Sequence, residues 1–182
     1  MADLSVSAGK KASILDFLLT IALVIIGSLY LVVAAYSGDL KWFWPKFNSM
    51  PSQVVVLCHG HETRLEGSSV EAQALALLVN GQISGDKRFD SLNLTPPTYD
   101  YYRTDPAVVT LELVYAQPVR VHLPNMFFTN ITSLLIPLEG RYADSAIIFG
   151  LINGIPAGGS IHVADNQELI DYLAAARLCP SP

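Results

Sequence analysis

The chain has 182 residues, 51% of them hydrophobic and 15% charged, with a formal net charge of −5 and a mean hydropathy of +0.38. That length suits one domain of roughly 100–150 residues plus an appendage, and it argues against two full domains. Residues 47–182 carry seven Lys or Arg against thirteen Asp or Glu, a net −6, which is the wrong sign for nucleic acid.

The hydrophobic excess is concentrated. Residues 17–36 are twenty consecutive positions without a charge, and a helix of that length spans the roughly 30 Å hydrocarbon core of a bilayer. Lys10 and Lys11 precede the run and suit a cytoplasmic tail over residues 1–12, while Lys41 and Lys46 on the far side weaken that asymmetry. Trp42 and Trp44 follow, where amphipathic rings sit at headgroup level. A cleaved signal ending at Val33-Ala34-Ala35 competes with this reading, but signal cores run to only about 7–15 apolar residues. The expected organisation is therefore a cytoplasmic tail (1–12), a transmembrane helix in contact with lipid (13–36), an interfacial collar and linker (37–52), and an extracytoplasmic domain (53–182).

Within that domain, residues 53–58 form a β-branched run of strand length, and Gly60 can turn it into a hairpin ending near Leu65. Ser68 and Glu71 make a capping-box pattern for a helix carrying Val70, Ala74, Leu77 and Leu78, with Asn80-Gly81 as its stop. Residues 84–106 show no sustained period and read as a long surface loop with an edge segment near residues 99–102. Residues 108–115 alternate as a strand, Ala116-Gln117-Pro118 reads as a turn, and residues 119–123 alternate again. Two further strands at 134–138 and 146–150 are joined by a turn at 140–144. Then come a loop at 154–159, a short strand at 161–163 and a helix capped by Asp165 with Glu168. Strands with two interspersed helices predict an α+β fold, a small antiparallel sheet with both helices packed on it.

Motifs narrow the chemistry only by what is missing. The chain has no Gly-x-Ser-x-Gly elbow, CxxC pair, HExxH or EF-hand loop, and the glycines at 150, 154, 158 and 159 lack the Lys-Ser/Thr of a phosphate loop. No cofactor is expected. His59 and His61 are the alternative metal pair, since residues two apart on a strand share a face; a turn at Gly60 removes that face. Cys58 and Cys179 are the two cysteines, and pairing them would clip the C-terminal region to the first strand. Tyr99, Tyr101, Tyr102 and Arg103 are the candidate binding residues, because tyrosine offers large contact area at low entropic cost. The sequence thus points to a non-enzymatic anchored protein whose outer domain binds a protein partner. The alternative is a metal-binding or hydrolytic domain using His59 and His61.

Overall fold

The computed structural model describes residues 14–37, 40, 46–123 and 127–179. The chain divides into two compact units, Met1–Trp44 and Pro45–Pro182. In the first, α1 (Ile14–Ser37) has 24 residues and is the one helix among the described residues long and apolar enough to cross a membrane. At 1.5 Å per residue it is about 36 Å long. Leu18, Leu19, Ile26, Leu29 and Val32 are all more than half exposed, so apolar side chains open outward all round it. Thr20 Oγ1 donates to the Asp16 carbonyl at 2.7 Å, one turn back at the polar end of the helix. Lys10, Lys11, Lys41, Trp42 and Trp44 lie outside the described residues.

The second unit is built on an eight-stranded antiparallel sheet. β1 (Gln53–Cys58) and β2 (His61–Glu66) form a hairpin through His59 and Gly60, whose φ angles of 49° and 82° are both positive, as a two-residue type I′ turn requires. β1 then pairs with β4 (Val109–His122), β4 with β5 (Phe127–Glu139), and β5 with β6 (Ile147–Ile152). β6 pairs with β7 (Ile155–Pro156) and β8 (Ser160–Val163), and β8 pairs with β3 (Lys87–Asp90). The order is β2-β1-β4-β5-β6-β8-β3, with β7 beside β6.

Both faces of this sheet are covered. Val54, Val56, Leu111, Leu113, Leu134, Ile136 and Ile148 point to one face, where they pack against Leu75, Val79 and Ile83 of α2 (Val70–Ser84) and Leu169 and Leu173 of α4 (Gln167–Ala175). Leu135, Ile147, Phe149 and Leu151 point the other way and pack with Tyr102 of α3 (Pro96–Thr104) and with Leu94 and Val108. Double coverage explains why five successive residues of β1, Val54 to Cys58, are all buried instead of alternating. Fully burying each such Val, Leu or Phe stabilises by roughly 1.5–3 kcal/mol relative to exposure.

The α+β class holds, with a larger sheet than expected and a third helix on the face opposite the other two. The supposed loop at 84–106 contains β3 and α3: Thr95 caps α3 by accepting from Thr98 N, and Pro96 and Pro97 occupy its first turn, where proline is pre-organised for helix. Ala116-Gln117-Pro118 is no turn. It lies inside β4 at a bulge, where four residues lie between Val114 and Val119 while only one lies between their partners Ser133 and Ile131. Pro118, lacking an N–H, is tolerated there. The hairpin reverses beyond residue 122, and β5 starts at Phe127.

Smaller boundaries also shift. The α2 cap is Ser69, one residue after Ser68, and its side chain accepts from Ala72 N. The helix runs through Asn80-Gly81 to Ser84, with Asn80 buried and its Nδ2 donating to the Ser49 carbonyl at 3.2 Å. The α4 cap is Asn166, while Asp165 Oδ1 accepts from Gln167 N. Asn153 and Gly154, at φ 52° and 79°, make a second tight turn between β6 and β7 where a loop is expected. Finally, residues expected in the linker belong to the domain: Phe47 is buried in its core and its N–H donates to Ser84 Oγ at 2.9 Å.

Candidate functional site

The four candidate residues on α3 have different fates. Tyr99, Tyr102 and Arg103 are spaced i, i+3, i+4, so one helical face carries all three toward the sheet. Tyr102 is fully buried, and its hydroxyl donates to the Arg141 carbonyl. It is therefore a packing residue that fixes α3 to the turn after β5, and it drops out of the expected contact surface. Burial pushes its phenol well above the ordinary tyrosine range, with Tyr101 and Tyr142 adding to the rise and Arg141 opposing it. Tyr99 and Tyr101 are half-buried and keep ring surface open to solvent.

Arg103 is tied down by acids. Its Nη1 donates to Glu112 Oε2 at 2.7 Å and its Nη2 lies 3.7 Å from Glu62 Oε2. Glu112 is 7% exposed at the side chain and also accepts from Ser133 Oγ at 2.9 Å, so both carboxylate oxygens are satisfied. Glu62 in turn takes a hydrogen bond from Arg64. The row Arg64, Glu62, Arg103, Glu112, Ser133 runs across β2, α3, β4 and β5 with alternating charge. Burial by itself lowers the Arg103 pKa, but Glu112, Tyr99 and Glu62 outweigh it and the net direction is up. The Arg103 guanidinium lies 5.9 Å from the Tyr99 ring centroid. Burial, then Glu112, raises the Tyr99 phenol, against the pull of Arg103.

Glu112 has no separate sequence signal as a site residue. It falls on the polar side of the alternation in β4, opposite Leu111 and Leu113, where the pattern implies water; α3 covers it instead. Arg141 and Tyr142 were also missed. They sit in the turn after β5, which reads from sequence only as a connection at 140–144 between two strands. The Arg141 guanidinium is 5.0 Å from the Tyr101 ring centroid, and Tyr142 meets the Phe149 ring edge-on at 6.4 Å.

The histidine pair does not share a face. His59 is in the β1–β2 turn, its Nε2 3.9 Å from Glu139 Oε2, and His61 is exposed on β2. Among the described residues no three His, Cys, Asp or Glu side chains converge as a metal-ligand set. Cys58 and Cys179 are joined as a disulfide with Cα atoms 5.5 Å apart, tying the end of β1 to the segment after α4. An open depression lined by Asp86, Lys87, Arg88, His162, Val163 and Ala164 lies at the β3–β8 edge. Burial lowers the Lys87 pKa there, and its ammonium donates to the Ile83 carbonyl.

Arg103 is paired with Glu112 and Glu62, and the half-buried Tyr99 and Tyr101 rings have guanidinium planes beside them. The chain matches no family model, and no curated protein or solved structure shows significant similarity to it.

Proposed function

We propose that the protein is a single-pass, membrane-anchored protein whose outer domain is a non-enzymatic binding or accessory module facing an extracytoplasmic compartment. The observation that carries this reading is α1: apolar side chains exposed around a 24-residue helix would be costly in water and are accommodated by lipid. The Cys58–Cys179 bridge supports placing the domain in an oxidising compartment, where such bonds persist. The half-buried Tyr99 and Tyr101 with Arg103 support protein contact, since Tyr and Arg are over-represented among interface residues that dominate binding.

The test is fractionation followed by protease protection. The full chain stays with membranes after alkaline carbonate extraction, and protease added from the extracytoplasmic side of sealed vesicles digests residues 46–182. Release by carbonate, or digestion only from the cytoplasmic side, overturns the placement.

A further inference from the structure

The turn between β5 and β6 is built, not slack. Gly140, Tyr142 and Ala146 all have positive φ, at 97°, 62° and 46°. The last two are strained conformations for residues bearing a Cβ, of a kind that collects at functional positions. A Cβ at Gly140 would come within 2.8 Å of the Tyr101 hydroxyl, so α3 seats directly against this turn. Tyr102 holds the Arg141 carbonyl from below and the Tyr101 ring lies beside the Arg141 guanidinium. The backbone and side chain of Arg141 are thus both positioned by α3.

Arg141 differs from Arg103 in one respect. Arg103 spends its donors on Glu112 and Glu62, whereas Arg141 is exposed and makes no ion pair among the described residues. A pre-positioned guanidinium with its fork open, flanked by Tyr101 and by the 37% exposed Tyr142, stands on a domain of net charge −6. We infer that this turn and α3 together form a docking surface for an acidic segment of a protein partner, with Arg141 receiving a carboxylate and Tyr101 and Tyr142 packing against the residues beside it. This rests on the reading of α3 as a binding face and adds to it the anchoring cation and the partner's chemistry. A single cation near an anionic bilayer surface contributes only about 1 kcal/mol, and a bilayer offers no fixed geometry for the guanidinium fork. A planar guanidinium instead matches a carboxylate bidentately.

The experiment is selection of a random-peptide phage library on the full chain held in nanodiscs, followed by affinity measurements on wild type, Arg141→Gln, Arg141→Lys and Tyr101→Ala. Selected peptides carry Asp or Glu next to an apolar residue. Arg141→Gln weakens them by on the order of tenfold or more, and Arg141→Lys restores part of that loss. Arg141 is exposed and its carbonyl is unchanged in these variants, and circular dichroism checks that they fold. Peptides that lack acids, or that bind Arg141→Gln as well as wild type yet lose affinity to Tyr101→Ala, overturn the acidic partner and leave the α3 reading standing. Peptides indifferent to all three variants, or no selected peptide, overturn both.

Discussion

Replacing Arg103 by Met removes the guanidinium from α3 while keeping an unbranched apolar stem. Glu112, 7% exposed at the side chain, would retain the hydrogen bond from Ser133 and lose its cation. Breaking a fully buried pair from one side costs roughly 3–5 kcal/mol, and because Arg103 is itself 30% exposed, water can reach part of the gap and the expected loss falls to about 2–3 kcal/mol. Glu112→Leu should cost less, about 1–2 kcal/mol, since Arg103 keeps Glu62 at 3.7 Å and solvent, and only the Ser133 hydroxyl is stranded. The double variant carries neither charge and should lose no more than about 1 kcal/mol, which set against single losses that sum to about 3–5 kcal/mol gives a coupling of roughly 2–5 kcal/mol. Equilibrium urea unfolding of the oxidised protein, followed by near-ultraviolet circular dichroism of the tyrosines, measures all four corners. If Arg103→Met is as stable as wild type, or the two losses simply add, the pair does not lock α3 onto the sheet.

Tyr115→Phe should raise stability by about 1 kcal/mol, because the Tyr115 hydroxyl is buried with no hydrogen-bond partner among the described residues. Burial raises the Tyr115 pKa above its unfolded value, so the stability linked to the neutral phenol is complete below about pH 10 and is lost as pH climbs past it. Thermal unfolding from pH 7 to 11 should therefore show the Phe variant's advantage widening above pH 10; a constant gap would contradict the assignment. Arg177→Gly should also stabilise, by about 0.5 kcal/mol after the entropic cost of glycine is set against the relieved strain. Arg177 sits at φ 54° just past α4, where Leu178 N donates to the Leu173 carbonyl and Arg177 N to the Ala174 carbonyl, the paired bonds of a helix end that normally takes glycine. A lowered melting temperature would mean the arginine makes a compensating contact.

Much of the α+β plan was legible because its signals are local. β1 and the start of β4 announce themselves by β-branched and alternating residues, and Gly60 marks the hairpin turn. The failures share a cause: tertiary packing overrode a punctuation residue. Asn80-Gly81 did not stop α2, because Asn80 is buried and held by the Ser49 carbonyl. Pro118 did not end β4, because the bulge accommodates it. The tyrosines of α3 masked a helix whose true marker was Thr95-Pro96-Pro97, a cap followed by first-turn prolines. Of the site, the tyrosine cluster could be picked out by composition alone. Which ring would be buried could not, since Tyr102 is covered by the residue 108, 135 and 149 side chains brought together only by the sheet. Nor could the pairing of Arg103 with Glu112, which depends on α3 folding back over β4.

The bridge between Cys58 and Cys179 also sets an order of events during biosynthesis. Cys58 is made 121 residues before its mate, and at roughly 5–20 residues per second that is an interval of about 6–24 s. During it β1 can already find β2 and β4, whose partners arrive sooner, while the thiol waits. The covalent link therefore becomes available only after every strand of the sheet, the last of which ends at Val163, has been made. Any oxidant acting within that interval can couple Cys58 only to a different molecule.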